Sequence, residues 1–390
     1  MHYQYYIQTA ANLLHQYNGS MPLQHYLKQY FAANKKHGSR DRKTITHLCY
    51  AYYRLGNSLQ HITVEEKISI ALFLVNDAAG DWLTQIPEPF CNNWQVDLNK
   101  RIELLNKKYG FNYHDIFSFK HELSCLTEVD VFIKSHLVQP YTFIRIRNGK
   151  NDKVINSLLN HNILIQFQEG NTLGFDTGLP LQNIIDINKD AVIQDASSQK
   201  IIRVLDKVAL PKPAKVWDCC AASGGKSILL KDYWGNIQLT VSDIRASILH
   251  NLQKRLAAAA VNCTQVLVAN VAEENLSKKL YQQPFHVIVC DVPCTGSGTW
   301  SRSPENLVFF DAASINEFTE KQKKIVTNAY KYLQNKGYLL YITCSVFKKE
   351  NEEMVLYMQH ELGLNCIEQQ MIEGYHQRAD TMFVALLQKQ

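Results

Sequence analysis

Along the first 130 or so positions, apolar residues return every three to four places. ANLLHQY (11–17), LQHYLKQYF (23–31), ITHLCYAYYRL (45–55) and ISIALFLV (68–75) each predict a helix with one buried stripe, and β-branched alternation is scarce. From about 131 to 200 the period shortens. YTFIRIR (141–147), ILIQFQ (163–168) and AVIQD (191–195) alternate over strand length between clusters of Gly, Asn and Asp, which predicts a small α+β module. Beyond PKPAK (211–215), apolar runs of strand length alternate with helical stretches. KVWDCC, IQLTVSD, TQVLVAN, FHVIVCD and GYLLYITC are the strands, and KSILLKDYW and SILHNLQKRLAAAA lie between the first three. Such alternation predicts a doubly wound, mostly parallel sheet that binds ligands at the carboxyl ends of its strands. The expected organisation is therefore α/β: an all-helical domain over 1–130, a small module over 131–200 and a Rossmann-like domain over 201–390.

Composition adds little beyond exclusions. Of the 390 residues, 46% are hydrophobic and 20% charged, ordinary globular values, and no apolar run approaches the roughly 18 residues of a membrane span. The amphipathic start, MHYQYYIQTAANLLHQY, lacks the pattern of a secretory signal, so a cytoplasmic location and no membrane partner are expected. Ten scattered cysteines show no CxxC spacing, which argues against zinc and predicts mostly buried, reduced thiols. No metal is expected.

Net charge is only +5, but its distribution matters more. NKKHGSRDRK (34–43) holds five Lys or Arg against one Asp, and FIRIRNGK (143–150) places basic residues at alternate positions of a strand. A solvated surface would explain either; two such patches ahead of a catalytic domain favour nucleic acid. Lys35, Lys36, Arg40, Arg42, Arg145 and Arg147 are the expected contacts, chiefly to phosphates.

The polar residues at the strand ends carry the chemistry. DCCAASGGKS (218–227) closes the first strand with small residues and two glycines, allowing the chain from Cys220 through Ala221, Ala222, Ser223, Gly224 and Gly225 to Lys226 to pass close to a polar ligand. A phosphate loop would need glycine at position 220, where Cys220 stands, so ATP is not expected. Asp243, ending the second strand, suits the ribose hydroxyls of an adenosine-containing cofactor, and Asn270 could read an adenine edge or serve as a turn residue. In DVPCTGSGTW (291–300), Pro293 turns the chain out of the sheet and aims Asp291 and Cys294 at the cleft. A second cysteine, Cys344, ends the next strand in YITCSV. One cysteine at a strand end reads as a buried small hydrophobe; two, each flanked by polar turn residues, read as chemistry.

DCCAASGGKS, DVPCTGSGTW followed by SRSPE, and YITCSV followed by ENEE resemble the successive motifs of the RsmB/Sun family of RNA cytosine-5 methyltransferases. QDASSQ (194–199) resembles the element before their catalytic domain, DTMFVALLQ their closing strand, and FAANKKHGSRDRKTI part of their NusB-like helical RNA-binding domain. The resemblance covers most of the chain and is weak from about 50 to 140. It implies S-adenosylmethionine on the turn from Cys220 to Lys226, with its ribose on Asp243 and its adenine near Asn270, Cys344 as nucleophile, Cys294 as the residue that assists release, and Asp291 holding the cytosine ring. The chemistry independently asks for a thiolate, because carbon 5 of a pyrimidine is a poor nucleophile until a thiolate has added to carbon 6. Ribosomal RNA is the implied substrate and transfer RNA remains open; nothing demands more than a monomer. This chain departs from the family at Ser223 (usually Pro), Asn270 (usually Asp), His286 (usually Asp) and Ser301 (often Arg), which leaves Arg302 alone as a phosphate contact before the SPE turn. Ser223 is expected to loosen the cofactor turn slightly, and His286 to be structural. A DNA cytosine-5 methyltransferase would use the Pro-Cys cysteine and carry an ENV-like motif and a long recognition region, neither of which is found. An RNA-binding assembly factor without turnover is the alternative from another class.

Overall fold

A computed structural model describes residues 3–88, 90–273, 275–281 and 283–390. The chain forms two compact units. One comprises residues 1–121, 128–139 and 299–312, and the other residues 122–127, 140–298 and 313–390.

The first unit is helical: α1 (Tyr3–Gln16), α2 (Leu23–Ala33), α3 (Ser39–Arg54), α4 (Val64–Val75), α5 (Phe90–Asn93), α6 (Leu98–Tyr109) and α7 (Val129–Ser135). Their apolar stripes meet around Leu13, Leu27, Leu48, Ile68 and Leu105, all buried. Thr63 and Asp97 cap α4 and α6 by accepting backbone N–H groups of the first turn. The segment 299–312 adds a short helix at Asn306–Phe309; Phe309 packs edge-on against Tyr17 with 5.3 Å between ring centres, and Glu305 accepts the Leu23 amide at 2.9 Å. A segment that begins 160 residues beyond the rest of this unit (139 to 299) thus completes it, which local periodicity could not reveal.

The second unit opens with a four-stranded antiparallel sheet of β1 (Thr142–Ile146), β2 (Phe167–Glu169), β3 (Thr172–Phe175) and β4 (Ala191–Ile193), in the order β2-β3-β1-β4 with α8 (Asn151–Asn160) following β1. This is a split βαβ arrangement. Alternation in β1 sends Ile144 and Ile146 into an apolar core with Val154 and Leu158 of α8, and sends Phe143 and Arg145 to the opposite face.

That opposite face corrects one expectation. Arg145 and Arg147 do not present an open basic surface for RNA: both reach Asp232, at 2.7 Å each, in a pairing whose side chains are 8%, 16% and 10% exposed. Arg145 Nε also donates to Gln194 at 3.1 Å, and Arg147 Nη1 to the Ala259 carbonyl at 2.6 Å. Burial lowers the Arg145 pKa while Asp232 opposes that shift. The cause is a carboxylate 85 or more positions away in the chain, which converts an alternating basic strand into an internal brace.

After α9 (Ala196–Lys200) the chain builds a seven-stranded sheet ordered β10-β11-β9-β8-β5-β6-β7. Its members are β5 (Ala214–Asp218), β6 (Ile237–Asp243), β7 (Gln265–Val268), β8 (Phe285–Asp291), β9 (Leu333–Thr343), β10 (Leu364–Ile372) and β11 (Met382–Lys389). Strands β5 to β9 run parallel, while β11 is antiparallel to both β9 and β10. Helices α10 (Gly225–Trp234), α11 (Ala246–Ala258), α13 (Ala313–Tyr330) and α14 (Glu352–Leu362) accompany the sheet, whose two faces each carry a large apolar cluster; α12 is the short Asn306–Phe309 helix of the first unit. Burial on both faces explains why these strands read as continuous apolar runs. Asp232 lies on α10, and Ala259 just beyond α11, so the arginine brace fastens the small sheet to two helices of the large one. His286 accepts the Lys215 amide at 2.9 Å and so ties β8 to the start of β5. Among the described residues no helix is long and apolar enough to cross a membrane.

Candidate active site

The parallel strands deliver their carboxyl-end residues to one cavity of about 400 Å³. Cys220 and Ala222 follow β5, Asp243 ends β6, Asn270 follows β7, Asp291 and Cys294 follow β8, and Cys344 follows β9; all line this space.

The first turn is held tightly. Ala222 adopts φ +46° and Gly224 φ +82°, and a Cβ on Gly224 would lie 3.1 Å from Leu252, so both conformation and space favour glycine. The Ala222 amide donates to Asp243 at 3.1 Å. Ser223, expected to loosen this turn, is instead anchored by Arg255, which donates to its carbonyl at 2.9 Å and its hydroxyl at 2.7 Å. Gly225 opens α10, whose first turn carries Lys226 and Ser227.

Asp243 is 6% exposed and accepts the Arg245 amide and guanidinium as well as Ala222. Burial works to raise its pKa, but the bonds from Arg245 outweigh it and the carboxyl is held below its ordinary value. The exposed Arg245 side chain thus covers the oxygens that a ribose diol would use. Asn270 accepts the amide of Ala272 at 3.2 Å, a local turn that leaves its side chain lining the cavity.

The two cysteines meet. The Cys344 amide donates to Cys294 Sγ at 3.3 Å, and the Cys344 carbonyl accepts the Gly298 amide at 2.9 Å. The neighbouring Cys294, followed by burial, pushes the Cys344 thiol well above its ordinary pKa, while Lys226 pulls the other way. Lys226 Nζ lies 2.6 Å from Asp291 Oδ2. Burial disfavours the Lys226 cation, yet Asp291 and Cys344 overcome that and raise its pKa. The Asp218 carboxyl, fully buried at the end of β5, accepts Ser227 Oγ at 2.6 Å, and its Oδ1 has no partner; burial pushes its pKa up to about 7. All ten cysteines are free thiols. Cys49, Cys219 and Cys290 are buried, Cys125 is exposed and the rest lie between, so burial is less general than expected.

The basic residues of the helical unit belong to a separate compact unit. Lys35, Lys36 and Arg40 are exposed, with Arg40 within 3.9 Å of Asp81, while Arg42 Nε is spent on the His37 carbonyl at 2.8 Å. Arg302 lies in the 299–312 segment of the same unit. Sequence reasoning placed Lys226 only in the cofactor turn and missed its pairing with Asp291. It also passed over Gln322 and Glu350, which lie behind the cysteine turns; their signal was faint, Glu350 being quoted only as the first residue of ENEE.

The donor set tests well against a nucleoside cofactor. The cavity offers a carboxylate at the end of the second strand, the apolar side chains of Ile244 and Val271 beside an amide, and a turn of backbone bent by Gly224, in a volume ordinary for a small-molecule site. Sheet order, turn and carboxylate together define a Rossmann-like methyltransferase domain. The chain belongs to the 16S rRNA methyltransferase RsmB/F family, whose profile matches residues 178–388. Among curated relatives it is 31% identical over 181 residues to ribosomal RNA small subunit methyltransferase B of Xanthomonas campestris pv. campestris, covering 46% of this chain and 40% of that protein. It is 26% identical over 207 residues to ribosomal RNA small subunit methyltransferase F of Shewanella loihica, covering 50% and 40%. The chain spans about two fifths of the length of the curated relatives it matches. Of solved structures, PH0851 resembles 97% of this chain over 97% of its own, with TM-score 0.68 and 18% identity. NSun6 from Pyrococcus horikoshii with SFG resembles 71% of this chain over 96% of its own, with TM-score 0.57 and 15% identity.

Proposed function

We infer that this protein transfers a methyl group from S-adenosylmethionine to carbon 5 of a cytosine in RNA, with ribosomal RNA as substrate. The observation that carries this reading is the approach of two cysteines from the ends of adjacent strands, with Cys294 Sγ 3.3 Å from the Cys344 backbone amide, beside the Lys226–Asp291 pair. A cofactor held by the turn from Cys220 to Lys226, by Asp243 and near Asn270 would supply an electrophilic methyl group. The Cys344 thiolate forms a bond to carbon 6, and the ring's electron pair moves towards nitrogen 3 and the carbonyl, leaving carbon 5 nucleophilic. Asp291 accepts the exocyclic amine and relays a proton from the Lys226 ammonium, 2.6 Å away, to nitrogen 3 as charge develops there. After transfer, Cys294 takes the carbon 5 proton and the bond from carbon 6 to Cys344 breaks, restoring the ring and the thiolate.

The target base must leave any stack, which costs a few kcal/mol and is cheapest in a loop. Exposed Lys35, Lys36 and Arg40 would contribute phosphate contacts that weaken with salt. The family match to the catalytic region supports this reading.

The test incubates RNA from cells lacking this protein with the full chain and methyl-labelled S-adenosylmethionine. Label should appear as 5-methylcytosine in ribosomal RNA, vanish with Cys344→Ala, and give way to a covalent protein–RNA adduct with Cys294→Ala. Label in transfer RNA alone would reassign the substrate. RNA binding without any transfer would overturn the reading in favour of an assembly factor.

A further inference from the structure

Behind the two cysteine turns lies a fully buried carboxylate, Glu350, to which no part of the chemistry above assigns a task. It occupies the single turn Lys348–Glu350 that follows the Cys344 turn. Oε1 accepts the Thr295 amide and the Gln322 Nε2 group, each at 2.9 Å. Oε2 accepts the Thr295 hydroxyl at 2.6 Å and the Ser345 hydroxyl at 2.5 Å. Thr295 is the residue after Cys294, and Ser345 the residue after Cys344. Gln322, on α13, extends the grip to the other side of Cys294 by donating to the Pro293 carbonyl at 3.0 Å. Its own carbonyl accepts Tyr341 OH at 3.1 Å, and that hydroxyl lies 2.7 Å from the Glu350 carbonyl.

We propose that Glu350 is a positioning residue that fixes the Cys294 and Cys344 turns to one another, so that nucleophile and release thiol keep the spacing both half-reactions need. This rests on the two-cysteine reading of the site. A purely structural buried carboxylate would satisfy itself wherever donors were nearest. Here three of the four donors come from residues directly following the two cysteines, and the fourth, Gln322, holds the residue directly before one of them. Glu350 does not touch either thiol; it acts through Thr295, Ser345 and Gln322.

Glutamine is the discriminating replacement. Its carbonyl can still accept from the two N–H donors, and its amide can donate to the two hydroxyls, which rotate to accept. Alanine removes the shared acceptor: the Thr295 amide is stranded, while Gln322 keeps only the Pro293 carbonyl and the Thr295 and Ser345 hydroxyls keep only each other and Ser297. The experiment compares full-length wild type with Glu350→Gln, Glu350→Ala and Thr295→Val. It measures kcat and KM for S-adenosylmethionine, the ratio of trapped adduct to product, and amide hydrogen exchange over residues 293–298, 344–347 and 219–226. Glu350→Ala should lower kcat by about thirtyfold or more and speed exchange at both cysteine turns by about tenfold, with KM and exchange over 219–226 little changed. Thr295→Val should fall between it and wild type, and Glu350→Gln should keep kcat within about threefold of wild type. Equal losses in the Gln and Ala variants, or exchange that rises uniformly across all three segments, would overturn the proposal. If Glu350→Ala does not fold, Thr295→Val and Glu350→Gln decide by the same readouts. If wild type transfers no methyl group, the catalytic reading fails by itself, while unchanged exchange at 293–298 and 344–347 in the variants would show that the clamp fails.

Discussion

Asp232→Ala is the perturbation with the largest expected effect on stability. The side chain is 10% exposed and holds two guanidinium groups, those of Arg145 and Arg147, that are 8% and 16% exposed. Neither arginine can discard its charge, so truncation leaves two largely buried cations with only the Gln194 side chain and backbone carbonyls as partners. A unit-charge pair at about 4 Å is worth about 4 kcal/mol at the effective dielectric of a protein surface, and desolvation consumes part of that when both partners are present. Removing one partner forfeits the attraction and keeps the desolvation, for a loss of about 3–5 kcal/mol. At roughly 2–4 °C per kcal/mol for a domain of this size, Tm should fall by roughly 6–20 °C. The assay is thermal unfolding of the full chain at low and high salt, followed by filter binding to RNA. Because the pair is sheltered, the loss should persist in high salt. The triple variant Arg145→Met, Arg147→Met, Asp232→Leu should recover most of the lost stability, since apolar residues of similar volume commonly replace a buried ion pair without penalty. A Tm within about 2 °C of wild type for Asp232→Ala, or Arg145→Gln that weakens RNA binding at unchanged Tm, would refute the brace and return these arginines to the RNA surface.

Three further outcomes follow from the site. Gly298→Ala would place a Cβ 2.0 Å from the Thr381 carbonyl and 3.0 Å from that of Cys344; it should abolish methyl transfer and lower Tm, and a fully active variant would contradict the turn. Asp218 has a folded-state pKa of about 7 against 3.8 unfolded, so the folded state binds the extra proton. Wild type should then lose stability relative to Asp218→Asn as pH rises from about 4 to about 7, by up to about 4 kcal/mol; urea titrations of both proteins at pH 5 and pH 8 with a constant gap would refute it. Lys226→Met removes the cation that opposes the upward shift of Cys344, so alkylation of that thiol at fixed pH should slow by about tenfold, and an unchanged rate would show that Lys226 does not act on it.

What the sequence made legible is governed by distance along the chain. The parallel sheet was plain because strands buried on both faces announce themselves as apolar runs, and Asp243, Asp291, Cys294 and Cys344 fell at their carboxyl ends by the same pattern. Asn270 was open to two readings, an adenine contact or a turn residue, and its side-chain carbonyl accepts the Ala272 amide in a local turn. Arg145 and Arg147 looked like surface charge because nothing local distinguishes a strand facing solvent from one facing α10; the answer lay at Asp232. Ser223 looked like a loosened turn because its anchor, Arg255, stands 32 positions away. Glu350 was hidden in a charged run, ENEE, whose other members suggest solvent. Pairings of this kind are long-range by nature, and periodicity carries no information about them.

The late return of residues 299–312 to the helical unit bears on how the protein is made. A ribosome releases the first 139 residues well before the segment carrying Glu305 and Phe309, and at about 5–20 residues per second the delay is of the order of ten seconds or more. During that interval the Leu23 amide lacks the carboxylate it ends up on, and Tyr17 lacks the ring that packs against it. The helical unit therefore emerges first and finishes late, with an apolar gap open to chaperones or to premature association until most of the second unit is synthesised. Expressing residues 1–139 alone would capture that intermediate rather than a finished domain.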